Sequence, residues 1–174
     1  NIDTDTNYIN LSRIQVSNEI INEILPNQSV KSLNLHQSFN WLYNISISDK
    51  QRDDYRKQII NNIIKLKIEL LDISNNIILG DLKEISKMKT LKILSAKYCN
   101  TKNINFKLLE NLKELDLTGN EILSSQLNDI SKLKNLKLLY LKDTIIIDNQ
   151  NDRLGLNNKQ LIKEIFKGKN LEIK

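Results

Sequence analysis

Between Leu112 and Thr144 the apolar positions fall in a fixed order whose period changes twice. Leu112, Leu115 and Leu117 lead, Asn120 and Ile122 follow, and a second ladder of Leu127, Ile130 and Leu133 runs on to Leu136. There the first order starts again with Leu139 and Leu141, and Thr144 takes the Asn place ahead of Ile146. Closely set leucines separated by polar residues predict a short strand with one buried face. The three- and four-residue spacing behind them predicts a returning helical turn. The same order opens at Ile68 (Leu71, Ile73, Asn76, Ile78) and at Leu91 (Leu94, Ala96, with Cys99 in the Asn place). Starts at 68, 91, 112 and 136 are 23, 21 and 24 residues apart. A weaker copy begins at Val30 with Leu33 and Leu35 and puts Ser38 where Asn is expected.

The flanks are less regular. Residues 1–16 are polar and without a clear period, which reads as a loose lead-in. Ser17 predicts the N-cap of a short amphipathic helix carrying Ile20, Ile21, Ile24 and Leu25, stopped by Pro26. Such a helix would cover the open first end of a stack of repeats. After the Val30 copy, Trp41, Leu42 and Ile45 offer further core side chains. Ser48-Asp-Lys-Gln51 matches a capping box. Tyr55, Ile59, Ile60, Ile63 and Ile64 then follow helical spacing, which predicts a helix over 49–66, the longest in the chain. Beyond Ile147 a polar run, 148–153, predicts a loop. Asn157 can cap a last helix with Leu161, Ile162, Ile165 and Phe166, Gly168 can end it, and Leu171-Glu-Ile173 predicts a short final strand.

The order L-x-x-L-x-L-x-x-N-x-L with this spacing resembles the leucine-rich repeat family, whose motif accepts Cys at the Asn place. The resemblance implies an α/β fold: a right-handed leucine-rich repeat solenoid with parallel strands on the concave side, helices or turns on the convex side, and helical caps. One domain would span 1–174, with an N-terminal cap at 1–29, about five repeats at 30–146 interrupted by the 49–66 helix, and a C-terminal cap at 147–174. The first, fourth and sixth positions would point inward. The Asn would point inward too, where its amide can satisfy backbone groups between neighbouring repeats. The functional implication is a non-enzymatic interaction module that takes a protein or peptide partner, mainly on the concave sheet, with no cofactor and no small-molecule substrate.

The outward strand positions carry the candidate contact residues. The first column reads Ser32, Leu70, Ile93, Glu114 and Leu138, and the second Asn34, Asp72, Ser95, Asp116 and Tyr140. A third reads His36, Ser74, Lys97, Thr118 and Lys142, with Tyr98 beside it. Leu70, Ile93 and Leu138 near Tyr98 and Tyr140 make an apolar and aromatic group of the kind found at contact sites, interrupted by Glu114. The competing account is that β-forming residues simply suit exposed strands, or that the long helix or a cap folds over them. Asp72 and Asp116 hold equivalent places in alternate repeats, about 10 Å apart, and could accept a basic side chain from a partner; such carboxylates are more commonly just solvated.

Composition narrows the alternatives. The chain is 40% hydrophobic and 27% charged, with a mean hydropathy of −0.40, values of an ordinary globular domain. No uninterrupted apolar stretch is long enough for a transmembrane helix. The net charge of +5 comes almost wholly from Lys, with Arg only at 13, 52, 56 and 153. These lysines alternate with Asp and Glu along the chain and form no basic stripe in sequence, which argues against nucleic acid. Abundant Lys, Asn and Ile suggest an AT-rich genome such as a parasite's or symbiont's.

Chemistry is scarce. His36 is the only histidine and Cys99 the only cysteine, so a nucleophile–base pair and a zinc site both lack residues. Glycines at 80, 119, 155 and 168 make no phosphate-binding loop, and no metal site is expected. Three N-x-S sequons, at Asn10, Asn27 and Asn44, weigh little in so Asn-rich a chain. The chain begins at Asn1 and its one methionine is Met88, so a preceding segment is expected, and a secreted location is favoured over a cytoplasmic one. The competing setting is an intracellular adaptor or regulatory subunit. A monomer or weak homo-oligomer is expected.

Overall fold

The computed structural model describes residues 7–24, 30–101, 103–147 and 158–174. Pro26, Asn157 and the polar run at 148–153 lie outside them. The leucine triplets do form strands, each only two or three residues long: β1 (Tyr8–Asn10), β2 (Ser32–Asn34), β3 (Leu70–Asp72), β4 (Ile93–Ser95) and β5 (Glu114–Asp116). After them come β6 (Glu121–Leu123), β7 (Leu138–Tyr140), β8 (Ile145–Ile147) and β9 (Glu172–Ile173). Seven of them pair in parallel in the order β1-β2-β3-β4-β5-β7-β9, and β6 pairs with β8 in a separate two-stranded sheet. The middle residue of each three-residue strand of the larger sheet, Ile9, Leu33, Leu71, Leu94, Leu115 and Leu139, is buried, and these residues stand in register across it.

The returning segments form the second layer. They comprise α1 (Asn18–Ile24), α2 (Asp49–Ile63), α3 (Ser124–Ile130), α4 (Asn158–Ile165) and 3-10 turns at Asn40–Tyr43, Ile77–Leu79, Lys83–Lys87 and Phe106–Leu108. Phe39, Leu42, Ile85, Phe106, Leu109, Leu127 and Ile130 face the strand leucines and close one continuous core. With about 25 cal/mol for each Å² of apolar surface removed from water, that core is the main stabilising term.

α2 begins where the capping box predicts. Ser48 Oγ accepts the Gln51 N–H at 3.3 Å and the Ser48 N–H donates to Gln51 Oε1 at 2.9 Å. The helix stops at Ile63, short of residue 66, and buries Ile59, Ile60 and Ile63. Tyr55 meets Trp41 edge to face at 5.7 Å.

The polar lead-in is the clearest departure from expectation. Tyr8–Asn10 forms the first strand of the sheet and pairs with β2. Only Ile9 and Leu11 turn inward there, while Ile14, the next apolar residue, is 49% exposed. One buried side chain in a three-residue strand and one just after it give no visible period, which is why the sequence reads as loose. α1 follows this strand in the helical layer. It packs beside α2, with Asn18 Nδ2 donating to Gln58 Oε1 at 3.1 Å and Asn62 Nδ2 donating to Asn18 Oδ1 at 3.4 Å.

Candidate functional site

The turns after the strands repeat as faithfully as the strands do. The residue before each Asn place, Arg13, Gln37, Asn75, Tyr98, Gly119 or Asp143, has a left-handed backbone with φ between 48 and 68°. The following side chain then reaches back one repeat. Ser38 Oγ donates to the Leu11 carbonyl at 2.6 Å and Asn76 Nδ2 to that of Leu35 at 2.7 Å. Cys99 Sγ donates to Ile73 at 3.2 Å, Asn120 Nδ2 to Ala96 at 2.8 Å and Thr144 Oγ1 to Leu117 at 3.0 Å. Five residues of four kinds satisfy the same buried carbonyl in successive repeats. The chain folds as a leucine-rich repeat solenoid.

In such a solenoid the open face of the sheet is an extended, preformed surface suited to protein contact. Here the open face carries two outward columns in register. The first runs Tyr8, Ser32, Leu70, Ile93, Glu114, Leu138, Glu172. Leu70 and Ile93 are direct neighbours, and both are half-buried, as is Leu138 beyond Glu114. The second column runs Asn10, Asn34, Asp72, Ser95, Asp116, Tyr140. A hollow of about 440 Å³ opens between β4 and the C-terminal end of the sheet, lined among others by Ile93, Lys97, Glu114, Asp116, Tyr140 and Lys142. Lys174 Nζ lies 5.5 Å from the Tyr140 ring centroid at its rim.

The two aspartates are engaged within the chain. Asp72 Oδ1 accepts the Ser74 N–H at 2.9 Å, and Asp116 Oδ1 accepts the Thr118 N–H at 3.0 Å. Asn10 and Asn34 make the same bond two residues on, to Ser12 and His36. At these four places a short side chain with an acceptor oxygen thus closes the strand-to-turn corner. Asp116 is only 7% exposed and lies 3.2 Å from Lys97 Nζ. Its carboxylate is thus already paired within the chain.

Tyr98 is 48% exposed and is not among the residues that line this hollow. It occupies the left-handed turn position, and its ring lies against Gly119, where a Cβ would come within 2.1 Å of it. Ile93, Asp116 and Tyr140 are therefore brought together in one hollow, Leu70 and Asp72 lie on the neighbouring strand, Leu138 lies beside Glu114, and Tyr98 sits at the edge.

Cys99 and His36 do not form a reactive pair. They belong to repeats two strands apart, about 10 Å by strand spacing. Burial pushes the Cys99 thiol up to about 11, with hydrogen bonds from Asn76 and Asn75 backbone opposing the shift. Among the described residues no cluster of His, Cys, Asp or Glu could hold a metal ion, and no helix is long and apolar enough to cross a membrane.

No protein-family model and no curated protein matches the chain. Among solved structures it is similar to an internalin from Listeria monocytogenes, with 17% identity and a TM-score of 0.47 over 98% of this chain and 47% of that one. It is similar also to an internalin C2 from the same organism, with 19% identity and a TM-score of 0.42 over 87% of this chain and 54% of that one. The chain spans about half the length of each.

Proposed function

We propose that the chain is a non-enzymatic interaction module that holds a protein or peptide partner on the open face of its sheet. The observation that carries this reading is the uncovered pair Leu70 and Ile93, half-buried neighbours on β3 and β4. The described helices pack among the returning segments and leave this face free; α2 spends its apolar side chains on α1 and the 3-10 turns. Apolar side chains held on a rigid, uncovered sheet next to Tyr140 and a hollow are the elements of a contact site. The burial of the Cys99 thiol and its distance from His36 favour binding over catalysis. The secreted and intracellular settings expected from sequence present the same surface to different partners.

The test compares capture of binding proteins by the wild-type chain and by Leu70→Asp/Tyr140→Ala, identified by mass spectrometry. Both side chains project outward, so thermal unfolding of the variant should stay within about 1 kcal/mol of the wild type. Specific partners should disappear. Capture of the same partners with equal yield by the double variant overturns the assignment of this face.

A further inference from the structure

One residue ahead of the first outward column lies a third row, along the N-terminal edge of the sheet. Backbone hydrogen bonds put it in register: the Glu69 N–H donates to the Lys31 carbonyl at 2.7 Å, Lys92 to Glu69 at 2.7 Å, Lys113 to Lys92 at 2.7 Å and Lys137 to Lys113 at 2.8 Å. The row reads Lys31, Glu69, Lys92, Lys113, Lys137. Lysines that are more than 20 residues apart in sequence thus stand about 4.8 Å apart on neighbouring strands. Lys31, Lys113 and Lys137 are exposed, and no ion pair engages them among the described residues. Lys89 and Lys134, also exposed, sit in the turns that lead into β4 and β7.

The single acidic member shows what the row accepts. Glu69 Oε2 lies 2.6 Å from Lys92 Nζ. The hydrogen bond from Lys92 holds its carboxyl below the usual value against desolvation, with lesser help from the charges of Lys92, Lys31 and Lys113. A carboxylate is therefore stabilised between lysines of adjacent strands, at the position next to Leu70. Continuing the row, Lys113 and Lys137 stand next to Glu114 and Leu138, and among the described residues neither closes an ion pair like that of Lys92 with Glu69.

We infer that the partner of the open face is an acidic, amphipathic protein segment, whose carboxylates lie along Lys31, Lys92, Lys113 and Lys137 while its apolar side chains meet Leu70, Ile93 and Leu138. This rests on the open-face reading above and adds the chemistry of the ligand. Carboxylates three or four residues apart on a helix are about 5–6 Å from one another, close to the pitch of the lysine row. The row has lysines and no arginine fork for bidentate phosphate contacts, and no aromatic side chain among its members for stacking bases. Both absences favour single-point contacts to carboxylates over nucleic acid.

The experiment uses a fluorescein-labelled, helix-forming peptide with Glu at four-residue spacing beside Leu, and its Gln counterpart, read by anisotropy at low and physiological salt. The Glu peptide should bind more tightly than the Gln peptide, and its affinity should fall as salt rises. Lys31→Glu/Lys113→Glu/Lys137→Glu should weaken it at least about tenfold, from three exposed charge pairs lost and reversed. Lys57→Glu/Lys83→Glu/Lys107→Glu, with the same change in net charge but on the helical layer, should leave it within about twofold. Glu69→Lys should tighten binding by completing the row. Equal losses from the two triple variants, or Glu69→Lys weakening the complex, overturn the inference. So does an oligothymidylate or a phosphatidylserine vesicle bound as tightly as the peptide. Loss of binding in Leu70→Asp/Tyr140→Ala with none in the lysine-row variant leaves the open face standing and removes only the acidic partner. Retention in both removes both.

Discussion

Replacing Asn120 tests whether the buried polar rungs hold the repeats together. Its side chain donates to the carbonyls of Ala96 and Leu117, both at 2.8 Å, and to Thr118 at 3.3 Å, while its Oδ1 accepts the Cys99 N–H at 3.0 Å. Asn120→Ala removes all four. The Leu117 carbonyl keeps the Thr144 hydroxyl and the Asn120 N–H, and the Thr118 carbonyl keeps the Tyr98 N–H. Two buried groups, the Ala96 carbonyl and the Cys99 N–H, lose the bond Asn120 supplies. Each such loss costs about 1–3 kcal/mol, so the variant should lose about 2–6 kcal/mol. That is a large share of the 5–15 kcal/mol typical of a whole domain. At about 2–4 °C per kcal/mol for a chain of this size, the midpoint should fall by roughly 4–24 °C. Asn120→Asp should cost at least as much, because a carboxylate accepts from Cys99 but cannot donate to Ala96. Asn120→Thr should cost less, since Thr144 shows that a hydroxyl can fill the same place. Urea unfolding followed by circular dichroism measures the series. A loss below about 1 kcal/mol for Asn120→Ala, or Asn120→Thr falling below it, refutes the rung argument.

Other perturbations probe different links. Gly119→Ala meets a left-handed φ of 68° and the Tyr98 ring, so it should cost about 1–2 kcal/mol, and less in a Tyr98→Ala background, which a double-mutant cycle measures. Ser48→Ala removes one half of the α2 capping box and should cost about 1 kcal/mol, read by the same urea unfolding. Cys99, raised from 9.0 to about 11 by burial, should react with thiol reagents at pH 8 only as fast as the chain opens. Above pH 9 the unfolded chain loses the thiol proton while the folded chain keeps it. Stability should therefore fall between pH 9 and 11 by on the order of 2–3 kcal/mol more in the wild type than in Cys99→Ala.

What the sequence made legible was whatever leaves a mark within one repeat. The inward leucines and the Asn place are visible because a lone polar residue recurs at one phase of an apolar period. Ser48 and Gln51 are visible because a capping box is local. Features that exist only between repeats were hidden. Tyr8–Asn10 needs β2 beside it to be a strand at all. Ile122 and Ile146 read as motif residues, yet their segments pair with one another to make a second sheet. The lysine row is the sharpest case. Along the chain Lys31, Lys92, Lys113 and Lys137 are diluted by neighbouring acids, and only the register of the strands collects them on one edge. Reading the residue after each repeat start as a column would have exposed it. At Asp116 the bond to Thr118 is local, but the pairing with Lys97 comes from the adjacent strand.

The spacing along the register explains why a binding face and an irregular chain can coexist. Equivalent strand positions at Tyr8, Ser32, Leu70, Ile93, Glu114, Leu138 and Glu172 are separated by unequal lengths of chain, the longest between Ser32 and Leu70. That interval contains all of α2. Closing the longer connection costs only roughly 0.4 kcal/mol more than closing one of ordinary repeat length, because the entropy grows with the logarithm of length. Against it stand the bonds that cross the junction: Leu35 N–H to the Asp72 carbonyl at 2.7 Å, Gln37 N–H to Ser74 at 3.0 Å, Phe39 N–H to Asn76 Oδ1 at 3.0 Å and Asn76 Nδ2 back to Leu35. At about 1 kcal/mol each, they outweigh the longer loop several-fold. The extra chain also contributes Ile59, Ile60 and Ile63 to the core. Length changes are thus absorbed in the helical layer, and the strands keep their register whatever lies between them. Residues on the open face are therefore set by their column and not by their distance in sequence, so a contact surface there can be altered one rung at a time without disturbing the returning segments behind it.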